Sequence, residues 1–260
     1  MSMKPRTVDL FGFNINTWSL NEAIKHFSNI SRQKQSRVVF TPNVDHLVLM
    51  DLEEDFRDSY HQADYILADG MPLVWFSRLV GKPLPERVTG ADLLPGLCAV
   101  AARKDLRIFL MGGALNVTPV AAKNLCQKFP GLQIVGIETP PVGFEQDEQW
   151  NKRLLTSINQ ASPDFLFVGL GAPKQEIWIA RHKHELKTGL ILGIGGAFDM
   201  EAGIFSRAPE WMQACGLEWV WRLSKDPKRL WRRYLVRDLR FLKILFREWK
   251  KQRLDCKLQS

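Results

Sequence analysis

Apolar residues along this chain fall into short runs, separated by longer segments in which they recur every three or four positions. The runs are Val38-Val39-Phe40, Tyr65-Ile66-Leu67, Arg107-Ile108-Phe109-Leu110-Met111, Ile134-Val135-Gly136-Ile137, Phe165-Leu166-Phe167-Val168 and Leu190-Ile191-Leu192-Gly193-Ile194. Their β-branched and aromatic content predicts strands. The intervening periodicity predicts helices near residues 44–59, 71–79, 91–104, 117–129, 147–160 and 174–186. Ahead of them, Val8 to Ile15 reads as a strand or small hairpin. Leu20 to Ser31, with Ala23, Ile24, Phe27 and Ile30 in register, reads as a helix. Short apolar strands alternating with helices imply an α/β fold: a mostly parallel sheet covered on both faces.

Beyond residue 200 the pattern changes. A helix is expected to start at Arg207-Ala208-Pro209-Glu210-Trp211 and to run through Gly216-Leu217-Glu218-Trp219 to Leu223. Asp226-Pro227 breaks the chain and starts another helix, with proline in its first turn. From there Trp231, Leu235, Leu239, Leu242, Phe246 and Trp249 recur at helical spacing as one stripe. Two readings fit that stripe. It is either the face by which a helix docks on its own core, or a basic amphipathic surface carrying Trp and Phe for an anionic membrane.

Charge sharpens the second reading. The chain has 260 residues and a net charge of +8. Residues 222–257 hold fourteen Lys or Arg against four acids, a local +10 that leaves −2 for the remainder. The basicity therefore belongs to the tail. With 45% apolar and 25% charged residues the composition is that of a soluble globular protein. No apolar run approaches the ~18 residues of a membrane span. Met1-Ser2-Met3-Lys4-Pro5-Arg6 is followed by no apolar segment, so no secretory signal is expected. Cys98, Cys126, Cys215 and Cys256 show no paired spacing and read as free thiols of a reducing, cytoplasmic compartment.

The predicted strands end in small and polar residues: Thr41-Pro42-Asn43, Ala68-Asp69-Gly70, Gly112-Gly113-Ala114, Gly169-Leu170-Gly171-Ala172-Pro173-Lys174-Gln175-Glu176 and Gly195-Gly196-Ala197-Phe198-Asp199. Each alone is an ordinary turn. Five on one sheet edge form the crevice where open α/β sheets bind ligands, with glycines and helix N-termini suited to phosphate. Several chemistries lack their signatures. There is no G-x-G-x-x-G, no phosphate-binding G-x-x-x-x-G-K-[S/T] loop, no G-x-S-x-G elbow and no D-x-D, Asp199-Met200-Glu201 being the nearest to the last. His182 and His184, two apart on a helix, point away from each other and read as surface residues. An acid (Asp69), amides (Asn43, Gln175), hydroxyls (Thr41, Thr89) and a cation (Arg87) remain at the strand ends. That set fits group transfer from an activated phosphate ester: a carboxylate can deprotonate a hydroxyl, and arginine can neutralise a departing diphosphate. Asp92 reads as an acid near a helix start, explained by capping.

Thr41-Pro42-Asn43, Ala68-Asp69-Gly70, Pro85-Glu86-Arg87-Val88-Thr89-Gly90-Ala91-Asp92, Gly169-Leu170-Gly171-Ala172-Pro173-Lys174-Gln175-Glu176 and Gly216-Leu217-Glu218-Trp219 together resemble, over residues 8–240, the WecG/TagA/CpsF glycosyltransferases. The resemblance implies a Rossmann-like core (1–206) and a basic, Trp-rich helical appendage (207–260) that touches the inner face of the cell membrane. It implies inverting, metal-independent transfer from a UDP-sugar to a saccharide on undecaprenyl diphosphate, without a cofactor. Asp69 would be the base, Thr41 and Asn43 would shape the sugar pocket, and Thr89 would join the substrate-binding set. Arg87 would support the acceptor or diphosphate and Gln175 the donor. Arg222, Arg229 and Arg232 resemble arginines that grip diphosphate, with the choice among Arg229, Arg232 and Arg233 open. Thr-Pro-Asn departs from the enterobacterial common antigen branch and sits closer to the teichoic-acid and exopolysaccharide branches. The donor sugar stays open between N-acetylmannosamine and another hexose, glucose included. Rival readings are a nucleic-acid-binding protein using its basic tail and a scaffold held on the membrane. The first explains the charge but not the strand-end loops, so no nucleic-acid partner is expected. The Trp-rich stretch 211–231 also suits a homo-oligomer contact.

Overall fold

The computed structural model describes residues 6–232 and 237–258. Strands β1 (Thr7–Leu10) and β2 (Phe13–Asn16) pair antiparallel as the expected hairpin. The remaining strands are β3 (Arg37–Phe40), β4 (Tyr65–Ile66), β5 (Arg107–Gly112), β6 (Gln133–Glu138), β7 (Phe165–Gly169) and β8 (Leu190–Gly193). They form one sheet in the order β4-β3-β8-β7-β5-β6, and every neighbouring pair is parallel. The helices among them are α1 (Leu20–Ile30), α2 (Val44–Leu52), α3 (Glu54–His61), α4 (Met71–Leu79), α5 (Gly90–Lys104), α6 (Val117–Lys128), α7 (Glu148–Ala161), α8 (Lys174–His182) and α9 (Ala197–Glu201).

Alternation along the strands builds two cores. Leu166 and Val168 of β7 join one cluster with residues of α2, α3, α4, α7 and α8. Phe165 and Phe167 of the same strand join the other, with residues of α1, α5, α6 and α9. Burial on both faces is why these strands read as continuous apolar runs. The chain passes from β3 to β4 at one edge, then crosses to β5 on the far side, so the order in which it winds along the sheet reverses beside β3. Ligand crevices open at such points, over the carboxyl ends of the strands.

Three departures from the expected helices have local causes. The segment 44–59 is two helices, divided at Glu53, whose extended backbone (φ −123°, ψ 113°) ends α2 and starts α3. The bend lets Leu47–Met50 of α2 and Phe56 and Tyr60 of α3 reach the same core. The helix expected to 186 ends at His182. The helix expected from Arg207 to Leu223 is divided into α10 (Glu210–Ala214) and α11 (Glu218–Lys225). Gly216 sits between them with φ +66°, and a Cβ there would stand 2.6 Å from the Trp75 ring. Only glycine both adopts that backbone and fits against α4.

Pro227 opens α12 (Pro227–Arg232) as expected, and α13 (Arg240–Leu258) follows. Leu235 and Arg233 lie outside the described residues, as does the side chain of Arg229. Apart from Trp249, which packs against the core, the docked face of α13 is other than the apolar stripe. Phe241 and Ile244 are 8% and 5% exposed and join the α2 core. Leu239, Leu242 and Phe246 remain about 60% exposed (59%, 63% and 61%). Glu248 and Gln252 are buried on the docked face, where Gln252 Nε2 donates to Glu248 Oε1 at 2.6 Å and to the Asp9 carbonyl at 3.2 Å. The helix is thus docked and still presents an apolar stripe to solvent.

Candidate active site

The strand-end loops meet α11 around a cleft of about 630 Å³. Loops after β3, β4, β5, β7 and β8 line it, joined by residues 140–145 after β6, which carry no small-polar signature. Thr41, Asn43, Asp69, Thr89, Gln175 and Arg222 all lie on its wall. Arg87 and Arg232 do not.

Asp69 sits where β4 gives way to α4, with Gly70 at φ +133° making the turn. Its backbone N–H donates to the Pro42 carbonyl at 2.8 Å, which ties its loop to Thr41-Pro42-Asn43. Val88 N–H donates to the Ala68 carbonyl at 2.8 Å, so Arg87 and Thr89 run alongside. Among the described residues, no side chain bonds to or ion-pairs with the Asp69 carboxylate. Its pKa is pushed up to about 7. Burial is the main cause and Glu218 the next. The Arg222 and Arg87 guanidiniums pull it down, and Asp92 adds a smaller upward push. A half-buried carboxylate with that pKa can take a proton near neutrality.

Several neighbours do structural work. Asn43 caps α2, its Oδ1 accepting from His46 N–H at 3.2 Å. Thr89 caps α5: its Oγ1 accepts from Asp92 N–H at 3.0 Å and donates to Asp92 Oδ2 at 2.8 Å. Asp92 itself is therefore not the cap. It sits in the first turn, and its other oxygen holds Arg207 Nη1 at 2.5 Å. Gln175 is buried, its Nε2 donating to Glu176 Oε1 at 2.8 Å and its Oε1 accepting from Gly195 N–H at 2.9 Å. A Cβ at residue 193 would stand 2.5 Å from that Nε2, so Gly193 makes room for the amide.

Arg87 is turned to protein. Its Nη1 donates to Glu218 Oε2 at 3.1 Å and its Nη2 donates to Gln213 Oε1. Arg222 reaches the other Glu218 oxygen through Nε at 3.1 Å and Nη2 at 2.6 Å. Arg232 lies exposed over the Trp231 ring, its guanidinium 5.4 Å from the centroid.

Wall residues that escaped sequence reasoning include Asp45, His46, Arg207 and Glu218. Asp45, 4% exposed, pairs with Arg237. His46 Nδ1 lies 2.7 Å from the Tyr60 hydroxyl. A signal existed only for Glu218, four residues before Arg222 and thus on its helix face. Among the described residues, no group of three or more His, Cys, Asp or Glu side chains is placed to hold a metal ion.

Glu176, 1% exposed, has an Oε2 with no hydrogen-bond partner. Burial raises its pKa to about 7, against opposing bonds from its own backbone and Gln175. A carboxyl that prefers its proton in the fold stabilises the fold fully below its unfolded pKa. That contribution is lost as pH rises from about 4.5 towards about 7. Glu176→Gln keeps the acceptor for Gln175 and removes the charge. Its thermal midpoint should pull ahead of wild type across that window. Parallel midpoint curves would mean that Glu176 does not ionise at a cost to the fold.

The family model described as glycosyl transferase WecG/TagA/CpsF matches residues 8–255. An N-acetylglucosaminyldiphosphoundecaprenol N-acetyl-β-D-mannosaminyltransferase of Bacillus subtilis is 34% identical over 81% of this chain and 78% of its own. A Bacillus spizizenii protein of the same name is 37% identical over 66% of this chain, and the match spans 65% of that relative. One from Staphylococcus aureus is 26% identical over 86% of this chain and 87% of its own.

Proposed function

Because the chain belongs to the WecG/TagA/CpsF glycosyltransferase family, we propose that it is an inverting, metal-independent transferase working from a UDP-sugar. The acceptor would be a saccharide on undecaprenyl diphosphate, in the assembly of a bacterial surface polysaccharide such as exopolysaccharide, teichoic acid or capsule. The relatives' names favour an N-acetylmannosaminyl residue added to N-acetylglucosamine. A glucosyl donor of exopolysaccharide assembly is the alternative. The observation that carries the reading is Asp69: a cleft carboxylate with no side-chain partner among the described residues and a pKa near 7, flanked by arginines.

In this reading Asp69 takes the proton of the acceptor hydroxyl. The hydroxyl oxygen bonds to the anomeric carbon as the bond to UDP breaks on the opposite face, which inverts the centre. Arg222, on the cleft wall, neutralises the leaving diphosphate, with Arg87 behind it. Thr41 and Asn43 border the sugar. Arg232, off the cleft wall, would meet the carrier's diphosphate only after moving with α12.

Residues 207–260 serve as the membrane appendage. Leu239, Leu242 and Phe246 face outward among Lys243, Arg247, Lys250 and Arg253, the arrangement of an interfacial helix on anionic lipid. Trp75 and Leu79 of α4 are exposed too, at 47% and 71%. Among the described residues no helix is long and apolar enough to cross a membrane. The location proposed is peripheral, on the inner face. A nucleic-acid-binding role gains no support, since the outward stripe of α13 is apolar.

The test is a panel of UDP-sugars with a short prenyl-diphosphate-linked N-acetylglucosamine, scored for released UDP and a lengthened glycan. One sugar should give both products. Release of UDP without a lengthened glycan would remove the transferase reading in favour of hydrolysis.

A further inference from the structure

Glu218 occupies an unusual position for an acid in a cleft expected to receive a diphosphate. Its two carboxylate oxygens hold two different arginines. Oε2 accepts from Arg87 Nη1 at 3.1 Å, and Oε1 accepts from Arg222 Nε at 3.1 Å and Nη2 at 2.6 Å. Arg87 comes from the core loop before α5, 131 residues earlier. Arg222 lies one turn further along α11. The side chains of Arg87 and Glu218 are only 15% and 19% exposed, so this is not a solvated surface pair of small consequence. Glu218 and Arg222 line the same cleft as Asp69.

We infer that Glu218 is a positioning residue: it gathers one arginine of the core and one of the C-terminal helices beside Asp69 before any diphosphate arrives. The inference rests on the reading of Asp69 as base and of the arginines as diphosphate ligands. Two guanidiniums close together repel each other, and the carboxylate between them offsets that repulsion while fixing both forks. An incoming diphosphate offers the same kind of acceptor oxygens, so the arginines can turn to it with little rearrangement. Glu218 acts on Asp69 as well. The charged and titratable groups facing Asp69 are Glu218 and Arg222 from α11, Arg87 from its loop, Asp92 from α5, Tyr60 from α3 and Arg207. Of the charges among them, Glu218 is the strongest upward influence.

The experiment compares wild type, Glu218→Gln and Glu218→Asp by titration with UDP and with geranyl diphosphate, and by the pH dependence of kcat/KM. Glu218→Gln should bind at least one of the two diphosphates tenfold or more weakly. Loss for UDP assigns the arginine pair to the donor, and loss for geranyl diphosphate assigns it to the acceptor. The acid limb of its pH profile should move down by about one unit, since removing a nearby like charge lets Asp69 ionise more readily. Glu218→Asp keeps the charge on a shorter arm, so it should lose affinity while its acid limb stays in place. Unchanged affinity for both diphosphates together with an unmoved limb in Glu218→Gln would overturn the inference. Should Asp69→Asn prove fully active, the base assignment fails, and the affinities alone still decide on Glu218.

Discussion

Replacing Asp69 by Asn is expected to lower sugar transfer by about 10²–10⁴-fold, the range associated with a positioned proton acceptor, while leaving the fold intact. Asparagine has nearly the same shape and cannot take a proton. Burial and Glu218 hold the wild-type carboxyl near pKa 7, so the variant also loses a charge that is costly in the folded state. Its thermal midpoint at pH 8 should equal or exceed that of wild type. For wild type, kcat/KM should rise with pH up to about 7 and then level off, because the unprotonated carboxylate is the working form. Steady-state release of UDP, circular dichroism and a thermal melt check the three expectations. An Asp69→Asn protein that transfers sugar at the wild-type rate would end the assignment.

The second large effect concerns the exposed stripe of α13. Cutting the chain at Pro227 is the obvious test of membrane contact, but it would strip Phe241 and Ile244 from the core they share with α2. It would also remove the Arg237–Asp45, Arg247–Asp51 and Lys251–Asp9 pairs. Any loss of activity would then mix stability with membrane contact. Leu242→Glu with Phe246→Glu avoids this, since both side chains stand more than 60% exposed. Each change removes an apolar group from the interface and adds a charge that anionic lipid repels. Binding to phosphatidylglycerol-rich vesicles should fall tenfold or more. Transfer to a long-chain prenyl acceptor in those vesicles should fall with it, while transfer to a short soluble acceptor should stay within about twofold. Equal loss on both acceptors would mean that the stripe serves the catalytic core and not the membrane.

The strands, the loop-lined sheet edge and the place of Asp69 on that edge were legible because each depends on local pattern. A buried parallel strand is an apolar run whatever its partner, and a ligand-binding edge gathers small and polar residues on successive loops. What stayed hidden depends on distant residues. The outward stripe of Leu239, Leu242 and Phe246 is more apolar than the face the core takes, which carries Glu248 and Gln252. Those two are tolerated there because they bond to each other and Gln252 bonds to the Asp9 carbonyl. That partner is 243 residues away and cannot be seen in helical periodicity. The division at Gly216 reflects the Trp75 ring, again remote in sequence. Arg87, expected to face substrate directly, is held by Glu218 and Gln213, and no motif announces a pair so far apart along the chain.

In the proposed reading, the doubly bonded amide of Gln175 bears on how the cleft receives a sugar. Bonded to Glu176 on one side and to Gly195 N–H on the other, it orders the loop after β8 during folding. Fixing a residue's backbone costs about 1–2 kcal/mol in conformational entropy. Here that cost falls on folding, so a ligand settling on this loop need not expend its own binding free energy to order it. In the proposed reading this order would also limit accommodation: an epimer whose hydroxyl points the wrong way would meet a wall held by two hydrogen bonds. Discrimination at this wall would then be a matter of shape fixed beforehand.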